Sequence, residues 1–318
     1  MTPNITGSVV KAAIVAITSE SATTEEKIQM LIEIAFGMQK QPQTSKDLRN
    51  AISLYYRAYE MCGADFPLLQ AKAKVGMARA LQRIPNAGPQ LLLQAKAAYE
   101  EALPLLKQFA SKEEVAATQM NLGLVLQLLV PFNLARIVDS ISAYHQALQV
   151  FTWQDYPQEY AILYNNIAIA YLSMPLASER EYWHQGLAVQ SLLVALKHIK
   201  LSEYPKEYAM LQNNLGNAWQ YLASNHPVEN NLRAIAAYDE ALKVRNPQDT
   251  PLEYANTISN KANALRNLPE NPQQPEANNL YHRLHSHTYY QEAWEIFSRQ
   301  QKFKQSQLLC QLIQEIVT

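Results

Sequence analysis

A short signature recurs along this chain at long, regular intervals, and this repetition limits the folds that the chain can adopt. Residues 210–221 read MLQNNLGNAWQY, residues 164–171 read YNNIAIAY and residues 119–126 read QMNLGLVL. Aligned on one small residue and separated by 47, 45, 48 and 46 residues, the signature occurs at Gly76, Gly123, Ala168, Gly216 and Ala262. A period of this order is typical of repeat proteins, in which one supersecondary unit stacks on the next.

A second signature follows the first and has helical spacing. In the copy AIAAYDEAL, apolar side chains fall on one stripe of a helix with about 3.6 residues per turn. Six copies are present, at residues 51–59, 95–103, 140–148, 188–196, 234–242 and 286–294. Three of the first elements begin with Pro157, Pro205 or Pro251 and carry Glu two residues later, which is a helix start signal. No segment has the pattern of a strand, so we predict an all-α fold of about six helical hairpins.

The repeats also predict how the chain is divided. We expect an N-terminal segment or capping helix at residues 1–24, a helical array at 25–304 and a C-terminal capping helix at 305–318. The predicted repeats lie at about residues 25–64, 65–110, 111–154, 155–202, 203–248 and 249–304. The first helix of the first repeat has an ambiguous register. A terminal helix is expected because the last repeat of a stack has an apolar face to cover.

The paired signatures resemble the tetratricopeptide repeat (TPR), with N-L-G-x-A-Y in the first helix and A-I-x-x-Y-x-x-A-L in the second. The matching residues are Gly216, Trp219, Ala234, Tyr238 and Ala241. The repeats exceed the family's length of about 34 residues. Such lengthened repeats, with starts like P-x-E-Y-A, are similar to those of cyanobacterial proteins whose array precedes a caspase-like CHAT domain, although no such domain is evident here. The resemblance implies an α-solenoid, a right-handed superhelix whose concave surface of first helices binds a peptide.

Composition excludes several other classes of protein. The net charge is −1 and only 17% of the 318 residues are charged, so no basic surplus indicates nucleic acid. Cys62 and Cys310 form no CxxC pair, which favours a reducing, cytoplasmic compartment over a disulfide frame or a zinc site. The apolar run VVKAAIVAI at residues 9–17 is too short for a membrane span. We expect no cofactor, no nucleic acid and no membrane insertion, whereas the oligomeric state is left open.

Asparagine recurs at one position of the first helices and supplies candidate contacts for a partner. Asn121, Asn166, Asn214 and Asn260 are 45, 48 and 46 residues apart and are expected on or beside the concave wall. The repeat motif requires particular residue types less strictly at neighbouring positions, so the side chains there are candidates for specificity: Asn165, Asn213, Asn217, Asn256, Asn263 and Arg266. Amide groups can satisfy a peptide backbone without a large charge signal. The family consensus itself favours Asn at the recurring position, so helix packing is the alternative role.

Cationic and aromatic residues extend this set. In the family, Asn and a nearby Lys or Arg can clamp a terminal carboxylate; Lys74, which aligns with the Asn position, and Lys261 are the nearest cations here. Tyr182 and Trp183 open the second helix of the fourth repeat and form a candidate surface hot spot, with a packed loop as the alternative. The tyrosines that recur at helix starts, at positions 160, 208 and 254, are expected mainly in the core.

One histidine cluster raises the question of chemistry. His282 and His285 share a helical face, whereas His287 points away from them and no carboxylate or Cys stands at a partnering spacing. A solvated or cationic patch is therefore favoured over a metal site, and no GxSxG signature is present. We predict a non-catalytic adaptor that binds another protein or peptide in the concave groove. The alternatives are a regulatory or sensor subunit of a separate effector, such as a caspase-like protease or an assembly machinery, and an enzyme that uses a metal at the histidines.

Overall fold

The computed structural model describes residues 15, 17, 21–86, 88–174, 182–222, 226–269 and 280–317. Within these ranges the chain forms α-helices and one short 3₁₀ turn, Val130–Phe132, and no β-strand. The α-helices are α1 Thr24–Lys40, α2 Ser45–Cys62, α3 Pro67–Gln82, α4 Pro89–Phe109, α5 Lys112–Leu129, α6 Ile137–Leu148, α7 Pro157–Leu172, α8 Tyr182–Leu196, α9 Pro205–Tyr221, α10 Pro227–Leu242, α11 Pro251–Arg266, α12 Leu280–Arg299 and α13 Phe303–Val317. The predicted all-α fold is confirmed.

The helices pack as consecutive hairpins in two compact units. The first unit, Met1–Phe151, contains α1 to α6, and the second unit, Thr152–Thr318, contains α7 to α13. We call α1, α3, α5, α7, α9 and α11 the first helices, and α2, α4, α6, α8, α10 and α12 the second helices. Each first helix packs on the second helix that follows it, and within a unit successive hairpins also contact each other. This serial packing is that of a TPR-like α-solenoid.

Local sequence explains where the helices begin. Pro157, Pro205 and Pro251 each occupy the first turn of a helix, as predicted, where the missing N–H is not needed. Helix α1 starts with a reciprocal capping box: the Thr23 N–H donates to the Glu26 carboxylate at 2.7 Å, and the Glu26 N–H donates to Thr23 Oγ1 at 3.3 Å. These signals fix the helix starts independently of the packing between hairpins.

A tyrosine of the second helix recurs in five of the described hairpins and bonds to the paired first helix. In the first unit, the Tyr55 hydroxyl donates to Gln39 at 2.9 Å. The Tyr99 hydroxyl donates to Gln82 at 3.2 Å, and the Tyr144 hydroxyl donates to Gln127 at 2.9 Å. In the second unit, Tyr238 donates to Asn217 Oδ1 at 2.7 Å, and Tyr290 donates to Asn263. Burial raises the pKa of all five phenols, to about 12 for Tyr55 and Tyr290, so the hydroxyls remain neutral donors at neutral pH.

The fourth hairpin replaces this hydrogen-bonded pair with apolar residues. Leu192 stands at the tyrosine position of α8 and is fully buried. Leu172 stands four residues after Ala168, at the place that Gln127 and Gln220 occupy in their helices. The two positions therefore change together within one chain, as expected because an unpartnered buried polar group is costly.

These contacts correct the alignment of the second repeat. Gly123 lies against Tyr144 of its own hairpin, whereas Gly76 lies against Tyr55 of the preceding hairpin. In both cases an added Cβ would overlap the tyrosine ring. The glutamine that bonds to Tyr99 stands four residues after Ala78, just as Gln127 stands four residues after Gly123. Ala78 is therefore the equivalent small residue, and Gly76 takes the place of the recurring asparagine.

Helix α5 and the turn after it meet the length and apolarity of a membrane span. Within residues 112–132, the most apolar window of 18 residues has a mean hydropathy of 1.5, and this is one such segment in the part of the chain that the structure describes. The helix packs against α4 and α6, and Leu122, Val125 and Leu129 are buried in the core of the first unit. These contacts are those of a core helix.

The ends of the array are covered to different extents in the described residues. At the C-terminus, α13 packs on α12, with Leu309 buried beside Ile258 and Tyr290, which confirms the predicted capping helix. At the N-terminus, Ile17 is buried in the core cluster that contains Ile28. Most of residues 1–20 lie outside the described residues. The division into terminal segments and six repeats stays a prediction.

Candidate functional site

The predicted amide residues of α7 and α9 bond mainly to one another. Asn214 of α9 donates through Nδ2 to Asn165 Oδ1 of α7, and Asn165 Nδ2 donates to Asn166 Oδ1 at 3.4 Å. Asn217 Nδ2 lies 3.4 Å from Asn214 Oδ1. These side chains connect two first helices, which favours the helix-packing alternative for Asn165 and Asn214.

The same pattern continues from α9 to α11. Asn213 Nδ2 donates to Asn214 Oδ1 at 3.1 Å, and Asn213 Oδ1 lies 3.1 Å from the Thr257 hydroxyl of α11. Arg245 Nη1 donates to Thr257 Oγ1 at 2.8 Å, and burial lowers the pKa of this guanidinium. Asn165 and Asn213 are only 6% and 8% exposed. We call the residues that share these bonds the amide seam of the second unit: Asn165, Asn166, Asn213, Asn214, Asn217, Arg245 and Thr257.

The remaining amide candidates lie in different surroundings. Asn256 is exposed, whereas Asn260 is half-buried and its backbone carbonyl accepts from Gln220 Nε2 at 3.2 Å. Asn263 accepts from Tyr290, as described above. Arg266 Nη1 lies 3.3 Å from Glu315 Oε2 of α13. Asn263 and Arg266 therefore bond to neighbouring helices, and Asn256 is the most accessible amide of the group.

A cleft lies between the first helices of the first unit, with a volume of about 300 Å³. Asn121 lines it, and its Nδ2 donates to the Ala117 carbonyl one turn earlier at 2.7 Å. The other lining residues, from α1 to α5, are Ile32, Glu33, Phe36, Tyr55, Lys72, Val75, Gly76, Arg79, Leu106, Glu114, Ala117 and Thr118. We call this the first-helix cleft. It brings together apolar side chains and both signs of charge.

The shape of the first-helix cleft follows from three residues. Gly76 has no side chain to fill the space in front of Tyr55. The Phe36 ring is 49% exposed at the edge of the cleft, although Ala35 beside it is buried. Lys72 Nζ pairs with Glu114 Oε1 at 2.9 Å and so connects α3 to α5. The cleft therefore has an apolar interior and a charged edge.

The two predicted clamp cations already have carboxylate partners, and the corrected register of α3 moves Lys74 away from the asparagine position. Lys74 pairs with Glu101 of α4 and sits 4.8 Å above the ring of Tyr59, on the side of the second helices. Lys261 pairs with Asp239 of α10 at 2.5 Å and sits 5.2 Å from the Tyr289 ring. Both ammonium groups already contact carboxylates, so their placement does not support a carboxylate clamp on the first helices.

The aromatic and histidine candidates neither belong to the amide seam nor line the first-helix cleft. The Trp183 side chain is 69% exposed, whereas the Tyr182 side chain lies outside the described residues. The His285 ring packs on the Tyr281 ring at 4.2 Å, and the His282 ring lies 5.5 Å from it. In the part of the chain that the structure describes, no three His, Cys, Asp or Glu side chains are placed to hold a metal ion.

Comparisons with known proteins give similarity of fold. No family model matches the chain, and no curated protein matches it significantly. The crystal structure of BtubC (BKLC) from P. vanneervenii is 20% identical over 74% of this chain and 86% of that chain, with a TM-score of 0.49. The TPR2AB domain of yeast Sti1, in a complex with pHSP90, is 15% identical over 92% of this chain and 100% of that chain, with a TM-score of 0.31. Similarity at this level concerns helical architecture alone.

Proposed function

We propose that this chain is a non-catalytic adaptor whose first-helix cleft receives an apolar side chain of a peptide from a partner protein. The observation that carries the proposal is the cleft itself, in which Gly76 leaves space beside Tyr55 and Phe36 is exposed at the edge. Burying one large apolar side chain contributes about 1.5–3 kcal/mol. That energy suits a cleft that takes a single anchor residue.

The edge of the cleft would fix the direction of the peptide. Lys72 and Glu114 already neutralise each other, whereas Glu33 and Arg79 lie on α1 and α3 beside the apolar interior. The Asn121 side chain still has its Oδ1 to accept a hydrogen bond from a peptide N–H. Paired charges with one amide are consistent with recognition of a peptide backbone rather than of a strongly charged ligand.

The amide residues of the second unit are proposed to divide between two roles. Asn165, Asn213 and Asn214 hold first helices together, because they are half-buried or buried and bond to each other. Exposed Asn256 and the half-buried side chain of Asn260 are proposed to contact the partner. The further candidates Asn166, Asn217, Asn263 and Arg266, with Tyr182 and Trp183, remain proposals of lower rank. Since both cysteines are free thiols, we place this activity in a reducing, cytoplasmic compartment.

Affinity capture followed by binding to the purified partner tests the proposal. The immobilised chain is compared with Phe36→Glu, which puts a charge at the cleft, and with Phe109→Glu on α4, a matched control that is 45% exposed outside the cleft. We expect Phe36→Glu to weaken binding at least about tenfold, or about 1.4 kcal/mol, and Phe109→Glu to leave it unchanged. A partner that binds both variants equally would place the interface elsewhere.

The same material separates an adaptor from a regulatory subunit. If the captured partner is an effector such as a caspase-like protease, its rate is measured with and without the chain. If the chain leaves the effector's rate unchanged, the result supports an adaptor. If the chain changes that rate and the Phe36→Glu variant does not, the result supports regulation through the same cleft.

A further inference from the structure

A second and larger cleft opens on the other side of the first unit, between the second helices α2 and α4. Its volume is about 790 Å³, within the range of about 300–1,000 Å³ for ligand sites. We call it the second-helix cleft. Its apolar lining includes Ile52, Met77, Leu81, Ile84 and Leu91. Leu81 and Ile84 are buried, so the interior is already dry in part.

One lining residue of this cleft, Glu101, has a different partner from its counterparts in the second unit. In the second unit, Tyr208 and Tyr254 at the starts of first helices donate to Glu240 and Glu292 of the paired second helices at 2.9 Å. With the alignment on Ala78, the equivalent residue of α3 is Gln70, and Glu101 pairs with Lys74 instead. The second repeat thus lacks an aromatic ring that its counterparts in the second unit have.

The rim of the second-helix cleft carries a surplus of positive charge. Lys46, Arg49 and Lys74 line it, against one carboxylate, Glu101. Glu101 pairs with Lys74, whereas Lys46 and Arg49 are exposed and take part in none of the described ion pairs. Lys46 lies in the first turn of α2 beside Asp47, whose carboxylate accepts from the N–H groups of Gln43 and Thr44 and offsets the positive end of the helix. Arg49 is therefore the main cation left to attract an anionic group, with Lys46 near it.

Aromatic rings separate this charge from the apolar interior. Tyr56 and Tyr59 lie on the α2 wall, with ring centroids 6.4 Å apart, and Lys74 covers the Tyr59 ring. Exposed Ala97 lies on the facing wall from α4 and leaves the mouth open. A ligand must therefore combine an apolar group with negative charge, and the open mouth allows a chain to enter and leave.

We propose that the second-helix cleft is a separate site for an acidic peptide segment with one or two large apolar side chains. The apolar side chains lie on Leu81 and Ile84, and the flanking carboxylates lie near Lys46 and Arg49. The mouth is open to solvent at exposed Ala97, which suits a segment of a polypeptide better than a small molecule that needs to be almost fully enclosed. This site does not depend on the first-helix cleft and makes the adaptor bivalent.

The test uses the full chain and fluorescein-labelled synthetic peptides in an anisotropy titration. The probe is Gly-Glu-Glu-Leu-Phe-Glu-Gly; one comparison peptide has Lys for each Glu, and another has Ser for Leu and Phe. We expect saturable binding of the first peptide, at least about tenfold weaker binding of the other two, and weakening by added salt because the rim charges are exposed.

Matched variants locate the binding. Arg49→Glu removes a rim cation, and Arg57→Glu, on the same helix but outside the cleft, is its control. Ala97→Trp fills the mouth, and Leu93→Trp, exposed on the same helix outside the cleft, is its control. We expect Arg49→Glu to weaken binding about tenfold and Ala97→Trp to abolish it, with both controls unchanged. Phe36→Glu in the first-helix cleft should have no effect, so failure of one site is distinguishable from failure of the other.

Several results would overturn the proposal. They are no saturation by the acidic peptide at millimolar concentration, equal binding of the lysine peptide, or full binding by a correctly folded Ala97→Trp variant. A further outcome is that the chain binds dodecanoate but not the acidic peptide, and that Ala97→Trp abolishes the binding of dodecanoate. The ligand of the cleft would then be a small anionic amphiphile and not a peptide. Circular dichroism on each variant shows whether its helices are intact.

Discussion

The first helices of the two units use the same position in opposite ways. Two residues before the small residue, the first unit has Glu33, Gly76 and Asn121, all of which line an open cleft. The second unit has asparagine at the three equivalent positions, and Asn214 bonds across to the neighbouring helix. At this position Gly76 leaves space in front of Tyr55, whereas Asn214 joins two first helices.

The repeats of this chain differ at single positions beside a shared contact. Hairpins in both units pair a tyrosine with a first-helix amide, whereas the fourth hairpin has buried Leu192 in place of the tyrosine. Beside that contact, one repeat position carries Gly76 in the first unit and Asn214 in the second. The same position can therefore either leave space between helices or join them.

Tryptophan provides a spectroscopic way to follow the units separately. All four tryptophans, at positions 153, 183, 219 and 294, belong to the second unit. Intrinsic tryptophan fluorescence therefore reports unfolding of that unit, whereas far-ultraviolet circular dichroism reports helix loss in both. The following predictions use this difference.

The largest expected effect comes from removing the tyrosine that closes a hairpin. Tyr238→Ala and Tyr99→Ala should each lower the free energy of unfolding by about 3–5 kcal/mol, because a fully buried ring is lost and an amide partner is stranded. In urea titrations, Tyr238→Ala should shift the fluorescence midpoint strongly. Tyr99→Ala should shift mainly the dichroism midpoint, and equal shifts of both signals would mean that the units unfold as one block.

A smaller effect should follow from adding one methyl group at the first-helix cleft. Gly76→Ala should lower the free energy of unfolding by about 1–2 kcal/mol, because overlap with Tyr55 outweighs the gain in helix propensity. Gly37→Ala is the matched control: it lies in α1 with open space around it and should raise stability by up to about 1 kcal/mol. Stabilisation by Gly76→Ala would show that Tyr55 moves aside easily and that the cleft adapts.

An effect of the same size is expected in the amide seam. Asn165→Met places there the residue that Met120 supplies in α5, and it removes the acceptor of Asn214. The free energy of unfolding should fall by about 1–2 kcal/mol, seen in the fluorescence midpoint. Asn256→Met at an exposed site should change it by less than about 0.5 kcal/mol. A neutral Asn165→Met would assign the seam no role in stability and leave those amides for a partner.

Much of the fold follows from the sequence because it rests on local signals. The paired signatures and the prolines at helix starts predicted the hairpins, since helix periodicity and capping act over a few residues. The register of α3 could not be read in the same way, because Gly76 and Ala78 are both small and stand two residues apart. Only the contact of Tyr99 with Gln82 decides between them, and that contact joins two helices.

The candidate sites were harder to predict for a related reason. Asparagine spacing identified a position on the first helices, but it did not reveal that Asn165 and Asn213 would be buried. The second-helix cleft went unnoticed, although a signal was present: tyrosine begins the matching turn at positions 160, 208 and 254 and is absent at Gln70 and Val115. The absence of tyrosine at these two positions is a difference between repeats that the sequence itself shows.

The serial packing of hairpins also has a mechanical consequence. Within each unit, a helix contacts mainly the helices next to it in the chain, so a pulling force applied at the ends meets one hairpin interface after another. Each hairpin of roughly 45 residues would release on the order of 150 Å of extended polypeptide. A stack of hairpins packed in this way would yield to tension in small increments.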